Sequence, residues 1–352
     1  MRVYSRGALL LVVFGLLLLA LTYCATQARA YNYGFVKASG THLTLNGYNY
    51  RFDGANMYYL NSRSNCGPTY SSSQVATSFD DQKGGEVVRA WFYQKLATVN
   101  GQLNWSAFDN SLSIANQHNK RVIVTLVDQW GACTNLGYLG IGWYQWAYKQ
   151  KLSSEIMSYR QFVYDLVQRY KNNPTVLMFQ LVNEPEAKTS SGGTCYESSA
   201  AKALRAFADD VGGMIHSIDP NHLVSLGGMG SGQCGMAGGD YQYVNASPGT
   251  NLCEYHDYNH PTTTMPGDQW NGLQVRLNQC RYLNKPLFVG ETGIHVPDQA
   301  SVWQRYTDFN NKFSTQFSAG VVGELIWSWS LYDNTGWHID PSDPSTGLLA
   351  KY

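Results

Sequence analysis

Between Trp105 and Trp329 the chain repeats one pattern: apolar residues at helical spacing, a stop signal, then a short apolar run with β-branched residues. Trp105, Phe108, Leu112 and Ala115 predict a helix that ends at Gln117-His118-Asn119-Lys120, and Val122 to Leu126 follow as a buried strand. Ile156, Tyr159, Phe162, Leu166 and Tyr170 predict a second helix, stopped by Asn172-Asn173-Pro174 before Val176 to Val182. Leu204, Phe207, Val211 and Met214 lead through Asp219-Pro220-Asn221 into Leu223 to Leu226. Val302, Tyr306, Phe309, Phe313 and Phe317 lead through Gly320 into Val321 to Trp329. Strands that are apolar along their whole length and joined by helices belong in a parallel sheet covered on both faces. Tyr50 to Asn56, Val87 to Trp91, Cys253 to Tyr258 and Leu287 to Glu291 complete a set that suffices to close a (β/α)8 TIM barrel. An open doubly wound sheet shares this periodicity. In a barrel, however, chemistry gathers at the C-terminal ends of the strands, because that face is built from the βα loops.

Polar residues fall at that end. The second strand closes on Arg89-Ala90-Trp91, the fourth on Asn183-Glu184-Pro185, the sixth on His256-Asp257-Tyr258, the seventh on Gly290-Glu291 and the eighth on Ile326-Trp327. A glutamate that follows a run of apolar strand residues is costly to desolvate, so it is paired, protonated or catalytic. A structural ion pair, Glu184 with Arg89 for instance, accounts for one such residue but not for the preference of the whole set for one face. Two glutamates on separate strands are what glycoside hydrolysis needs: one carboxylic acid protonates the leaving oxygen while one carboxylate attacks the anomeric carbon.

The ends and the composition narrow the class further. Arg2 and Arg6 precede an apolar run from Ala8 to Leu21, and Ala28-Arg29-Ala30 supplies small residues for cleavage, so residues 1–30 read as a secretory signal peptide and residues 31–352 as one domain without linker or repeat. The run is shorter than the roughly 17 residues that span a bilayer, which argues against a retained anchor. A lipid anchor on Cys24 is disfavoured by the bulky Tyr23 before it. Lys plus Arg and Asp plus Glu both total 25, and three Arg leave with the signal, so the mature chain is slightly acidic and nucleic acid is not the expected partner. Charged and aromatic residues each make up 14%, a balance that suits a flat, polar, uncharged ligand rather than disorder. Cys66, Cys133, Cys195, Cys234, Cys253 and Cys280 remain in a chain bound for an oxidising compartment, so three disulfides are expected. Six cysteines allow 15 pairings. Neighbouring strands favour Cys195 with Cys234 and a strand-to-helix tie favours Cys253 with Cys280, which leaves Cys66 with Cys133.

Taken in order, Arg89, Asn183-Glu184-Pro185, His256-x-Tyr258, Lys285 to Glu291 and Trp327 resemble glycoside hydrolase family 5, within the clan of retaining (β/α)8 glycosidases, over essentially the whole mature chain. The resemblance implies Glu184 as general acid/base with a pKa raised toward neutrality, and Glu291 as nucleophile, kept ionised by Tyr258 and Arg89. It implies Asn183 on the sugar 2-OH, His256 orienting the cleaved sugar, Trp327 as an apolar platform, and substrate-binding parts for Arg89 and Tyr258. The two carboxyl groups are then expected about 5–5.5 Å apart. Tyr58, Tyr59, Trp91, Trp130, Trp329 and Trp337 lie at or just past strand ends, and about half of them are expected to touch substrate. The partner expected is a polysaccharide or oligosaccharide, with no cofactor, no metal, no membrane once the signal is removed, and the protein acting as a monomer.

Phe35 to Leu60 and Leu126-Val127-Asp128-Gln129-Trp130 are similar to the family's β-1,4-mannanases, although Asp128-Gln129 replaces the usual Asn-Asn and Thr292 the usual Phe. Mannan is therefore preferred to glucan, with an endo-β-1,4-glucanase as the alternative. Three further readings are weaker. Gly230-Ser231-Gly232-Gln233-Cys234-Gly235 matches a dinucleotide fingerprint, but Met236 to Asp240 is a poor helix start and a cysteine sits inside the motif. His256 and His260 have a helical metal-site spacing but lie on a strand and its following loop. A sugar-binding barrel without catalysis typically lacks one carboxylate, and this chain keeps both.

Overall fold

The computed structural model describes residues 34–62 and 66–352; the expected signal segment, residues 1–30 with Cys24, lies outside the described residues. Eight parallel strands form the barrel: β1 (Phe52–Asn56), β2 (Val87–Trp91), β3 (Arg121–Thr125), β4 (Val176–Gln180), β5 (Leu223–Ser225), β6 (Cys253–Asp257), β7 (Leu287–Gly293) and β8 (Gly323–Trp327). Each pairs with its neighbour in chain order, and β8 pairs with β1. Closure between β5 and β6 is the sparsest seam, a single bridge of Ser225 with Leu252 supported by Asn251 N donating to Val224 O at 2.8 Å. The ring is closed, so the barrel alternative to an open sheet is the observed one.

Helices cover the outside: α1 (Ser72–Asp81), α2 (Ser106–Gln117), α3 (Ile141–Gln145), α4 (Tyr159–Tyr170), α5 (Glu197–Ile218), α6 (Gly239–Asn245), α7 (Leu273–Tyr282) and α8 (Val302–Ala319). The four helices read from apolar spacing are α2, α4, α5 and α8. Ile156 lies just before α4, which starts only after Ser158 accepts a capping bond from Gln161 N. The strand read as Tyr50 to Asn56 is divided: Tyr50 ends the last strand of an antiparallel sheet formed by Val36–Ser39, His42–Leu45 and Tyr48–Tyr50. That sheet buries Val36, Leu43, Leu45 and Tyr50 against the lower barrel residues Phe52, Val87, Ile123, Met178, Phe288 and Leu325. It closes the N-terminal mouth and leaves the opposite face for the loops. Among the described residues no helix is long and apolar enough to cross a membrane.

The disulfides are Cys66–Cys133, Cys195–Cys234 and Cys253–Cys280, the three expected pairs. The first joins the loop after β1 to the loop after β3 and closes a separation of 67 residues. A C66S/C133S double variant is expected to lose about 4 kcal/mol of stability, the chain-entropy value for a loop of this size. Denaturant unfolding of the non-reduced proteins measures it, and equal midpoints would contradict it.

The glycine-rich segment Gly230 to Gly235 is a stapled loop and not a phosphate cradle. Cys234 is bonded to Cys195, and the buried Arg276 guanidinium donates to Gly230 O at 2.7 Å, Met236 O at 3.2 Å and Gly238 O at 2.7 Å. The helix that follows, α6, has only seven residues.

Candidate active site

Period-two alternation decides which strand residues enter the barrel. On β2, Val87 belongs to the inner apolar cluster at the bottom, so Arg89, two residues on, points inward near the top. On β6 the outward residues are Cys253, bonded to α7, and Asp257, which accepts from Lys312 Nζ on α8 at 2.8 Å. Glu254 and His256 therefore face inward. Two sites escape this alternation. Glu184 adopts a φ of 58°, the left-handed region that a non-glycine residue enters only when its surroundings hold it there, and its N donates to Gly227 O at 3.0 Å. On β7 the pairing register shifts on both sides, between Tyr255 and His256 of β6 and between Val289 and Thr292, and such irregularities re-aim a side chain. Here the side chain is that of Glu291.

Arg89, with no exposed surface, organises the floor. Its Nη1 donates to Glu291 Oε1 at 2.6 Å and Asn56 Oδ1 at 2.8 Å, its Nη2 to Asn183 Oδ1 at 2.6 Å, and its Nε to Gln180 Oε1 at 2.9 Å. Because Asn183 Oδ1 accepts from Arg89, its amide nitrogen is the donor on the other side, and it reaches Asp128 Oδ1 at 2.8 Å. Asp128 Oδ2 accepts from Trp130 N at 3.0 Å and Ala132 N at 2.7 Å, which shapes the loop after β3. Burial pushes the Asp128 carboxyl up to about 6.

The two candidate glutamates have different partners. Glu291 Oε2 accepts from Tyr258 Oη at 2.5 Å, in addition to the Arg89 bond. Glu184 Oε2 accepts from Trp130 Nε1 at 2.7 Å, and Glu184 Oε1 lies 2.8 Å from His256 Nδ1. His256 Nδ1 is also 3.6 Å from Glu291 Oε2. A carboxylate oxygen of each glutamate and a ring nitrogen of His256 all lie within 4.8 Å of one another. Gly293 leaves room for this arrangement, since a Cβ there would stand 2.3 Å from the Tyr258 ring.

The cleft above has a volume of about 460 Å³ and is lined by Tyr58, Trp91, Asp128, Trp130, Asn183, Glu184, Tyr258, Glu291 and Trp327 together with Ala132 and Cys133. Trp327 stacks on Tyr58 with ring centroids 5.4 Å apart. Of the other aromatic candidates, Trp337 packs edge-on against Tyr258, while Tyr59 and Trp329 are core residues at 1% and 0% exposure. His260 is exposed on the loop after β6 and bonds Thr262 Oγ1 at 3.0 Å, away from the partners of His256.

The structure departs from three expectations. Arg89 and His256 do not line the cleft: both are buried beneath the carboxylates and reach a ligand only through Glu291, Asn183 and Glu184. The Glu184 pKa is not raised. Burial pushes it up, but the hydrogen bond and charge of His256, the Trp130 N–H and the charge of Arg89 together outweigh burial and hold it below the usual range. The Glu291 pKa is raised, because complete burial exceeds the lowering by His256, Arg89 and Tyr258. Burial lowers His256 as well, yet the charge of Glu291 and the bonds to Glu184 and Glu254 take it up to about 10. The surroundings of His256 therefore favour its charged form. Gln180 and Glu254 escaped the strand-end search because each lies below the last residues of its run, whereas Asn56 closes the first strand level with Arg89 and was passed over.

Trp130 is 45% exposed, so its ring meets solvent while its N–H is committed to Glu184. Trp130→Phe keeps most of the ring and removes a donor to the ionised carboxylate, so the Glu184 pKa rises. The alkaline limb of kcat/KM is expected to move to higher pH while kcat falls about 10-fold through looser orientation. A limb that moves the other way contradicts the assignment of this bond.

The family model described as "Cellulase (glycosyl hydrolase family 5)" matches residues 36–333. The chain is 26% identical to mannan endo-1,4-beta-mannosidase 8 of Oryza sativa subsp. japonica, over 90% of this chain and 98% of that protein. It is 25% identical to mannan endo-1,4-beta-mannosidase A of Podospora anserina, over 93% and 91%. The crystal structure of the endo-1,4-beta-mannanase from Rhizomucor miehei superposes with a TM-score of 0.71 at 20% identity, covering 90% of this chain and 97% of that one.

Proposed function

The chain belongs to glycosyl hydrolase family 5, and from that premise we propose that it is a secreted endo-β-1,4-mannanase that works by double displacement with retention. The observation that carries the mechanism is the closeness of Glu184 and Glu291, whose nearest oxygens lie within 4.8 Å in one cleft. Retaining enzymes hold their carboxyl groups about 5–5.5 Å apart, whereas inverting enzymes need about 6.5–9.5 Å to admit water between them.

In the first step a Glu291 oxygen forms a bond to the anomeric carbon, the bond from that carbon to the glycosidic oxygen breaks, and Glu184 gives its proton to the departing oxygen. In the second step Glu184 takes a proton from water, the water oxygen bonds to the anomeric carbon, and Glu291 leaves as carboxylate. Arg89 and Tyr258, both donors to Glu291, stabilise its anionic form before attack and after release. Asn183, fixed between Arg89 and Asp128, has an amide hydrogen left for the sugar 2-OH, a contact that strengthens in the oxocarbenium-like transition state. Trp327 and Tyr58 offer an apolar wall to the sugar face.

Mannan as substrate rests on the names of the curated relatives and on the Leu126 to Trp130 segment; the wider family description keeps β-1,4-glucan as the competing polymer. Residues 1–30 are proposed as the cleaved export signal and residues 31–352 as the mature catalytic domain. Reducing-sugar release from mannan, glucomannan, carboxymethyl cellulose, xylan and galactan tests the substrate. Activity on mannan with none on carboxymethyl cellulose is the expected outcome, and the reverse overturns it.

A further inference from the structure

Below the catalytic pair lies a third glutamate that neither step employs. Glu254, on β6, is 1% exposed. Its Oε1 accepts from Gln180 Nε2 at 2.5 Å, its Oε2 accepts from Ser225 Oγ at 2.7 Å, and its Oε1 lies 3.1 Å from His256 Nε2. With Glu184 at 2.8 Å from Nδ1, the His256 ring has a carboxylate on each nitrogen and no exposed side-chain surface. An imidazole can satisfy two acceptors only by carrying a proton on both nitrogens. The β7 backbone is fitted to this pair: a Cβ at Gly290 would stand 2.1 Å from Glu254 Oε1 and 3.1 Å from His256 Nε2.

We propose that Glu254 is a positioning residue of the reaction, which by occupying Nε2 of His256 keeps the ring charged and its Nδ1 proton aimed at Glu184. The inference rests on the reading of Glu184 as general acid/base. It accounts for how a carboxylate whose own pKa is held down still has a proton at hand: the Glu184–His256 pair stores it in one hydrogen bond. The groups facing His256 are Glu184 beyond β4, Glu254 on its own strand and Glu291 on β7, which all favour the charged ring. Arg89 on β2 opposes them from the far side of Gln180 and Glu291. Tyr258 commits its hydroxyl to Glu291, Tyr241 of α6 donates to the Glu254 backbone oxygen, and Asp257 faces outward to Lys312 and Gln316 of α8. Two carboxylates therefore remain at hydrogen-bonding distance from the ring, and Glu254 is the one that does not touch the cleft.

The experiment compares kcat and KM across pH for the wild type, Glu254→Gln, Glu254→Asp and Glu184→Gln on a mannan oligosaccharide, with 15N spectra of histidine-labelled protein. Glu254→Gln is expected to move the alkaline limb of kcat/KM down by about 1–3 pH units, the scale of losing one close opposite charge, with KM unchanged and with Glu254→Asp recovering part of the shift. In the wild-type spectra, His256 is expected to stay doubly protonated through pH 8. An unmoved limb with a uniform loss of rate, or a wild-type His256 that titrates near 6.5, overturns the proposal even if Glu254→Gln fails to fold. Full activity of Glu184→Gln would instead sink the acid/base reading, so the two failures are distinct.

Discussion

Replacing Glu291 by Gln is expected to lower kcat on a mannan oligosaccharide by on the order of 10⁵-fold, the scale of losing the nucleophile of a covalent mechanism. Gln has nearly the same shape, so the cleft keeps its outline, but an amide cannot form and release the glycosyl ester. The change also removes the anion 2.6 Å from a guanidinium with no exposed surface. Leaving one half of a buried pair costs about 3–5 kcal/mol. Arg89 keeps Asn56, Asn183 and Gln180 as acceptors, so the variant is expected to fold with a lower midpoint. Thermal unfolding beside the kinetics separates loss of chemistry from loss of fold. Two further readouts belong to the wild type. A 2-deoxy-2-fluoro-β-mannoside with a good leaving group is expected to leave a mass adduct on the peptide that contains Glu291, because fluorine at C2 slows release of the covalent intermediate. The first-formed anomer in a proton NMR time course is expected to be β. An α product, or activity of Glu291→Gln within 100-fold of wild type, would remove Glu291 from the role assigned to it.

How far the sequence could be read depended on depth in the barrel. Strand identity was legible because β2, β3 and β4 are short apolar runs bounded by stop signals, and the polar residues at their C-terminal ends pointed to one face. Glu184, Glu291, Asn183, Tyr258 and Trp327 were found that way and do line one cleft. What resisted was whatever depends on two strands at once. Gln180 sits inside the run Val176 to Val182 and Glu254 before the polar end of the sixth strand, and only closure of the ring brings them to 2.5 Å. Trp130 looked like a stacking surface, while its use as a donor to Glu184 needs the backbone of the loop after β3 to be held by Asp128. The pKa directions were missed for the same reason. Arg89 and Tyr258 were weighed against Glu291, but the charged ring of His256 beside Glu184 was not, and it decides which carboxylate gives up its proton more readily. The divided strand at Tyr50 was likewise invisible, since antiparallel pairing of Tyr48–Tyr50 is a tertiary choice that periodicity does not record.

The complementary change, Glu184→Gln, is expected to act unequally on two substrates, and the inequality is what identifies its role. Cleaving a glycosidic bond to another sugar expels an alkoxide unless the oxygen is protonated, so kcat on the polysaccharide is expected to fall about 10³- to 10⁴-fold, the upper range for losing a general acid. A dinitrophenyl β-mannoside carries a leaving group that departs without help, so the first step proceeds in the variant. The second step does not, because water then lacks the base that takes its proton. The covalent intermediate accumulates, and a stoichiometric burst of dinitrophenol followed by slow turnover is the expected trace, with an apparent KM far below that of the wild type. Unlike Glu291, Glu184 does not neutralise Arg89 directly: its partners are the Trp130 N–H and the His256 ring. The variant therefore leaves the Arg89 floor intact, and its stability is expected to stay closer to wild type than that of Glu291→Gln. Equal losses on both substrates without a burst would mean that Glu184 only shapes the cleft, and the acid/base assignment would have to move to another group.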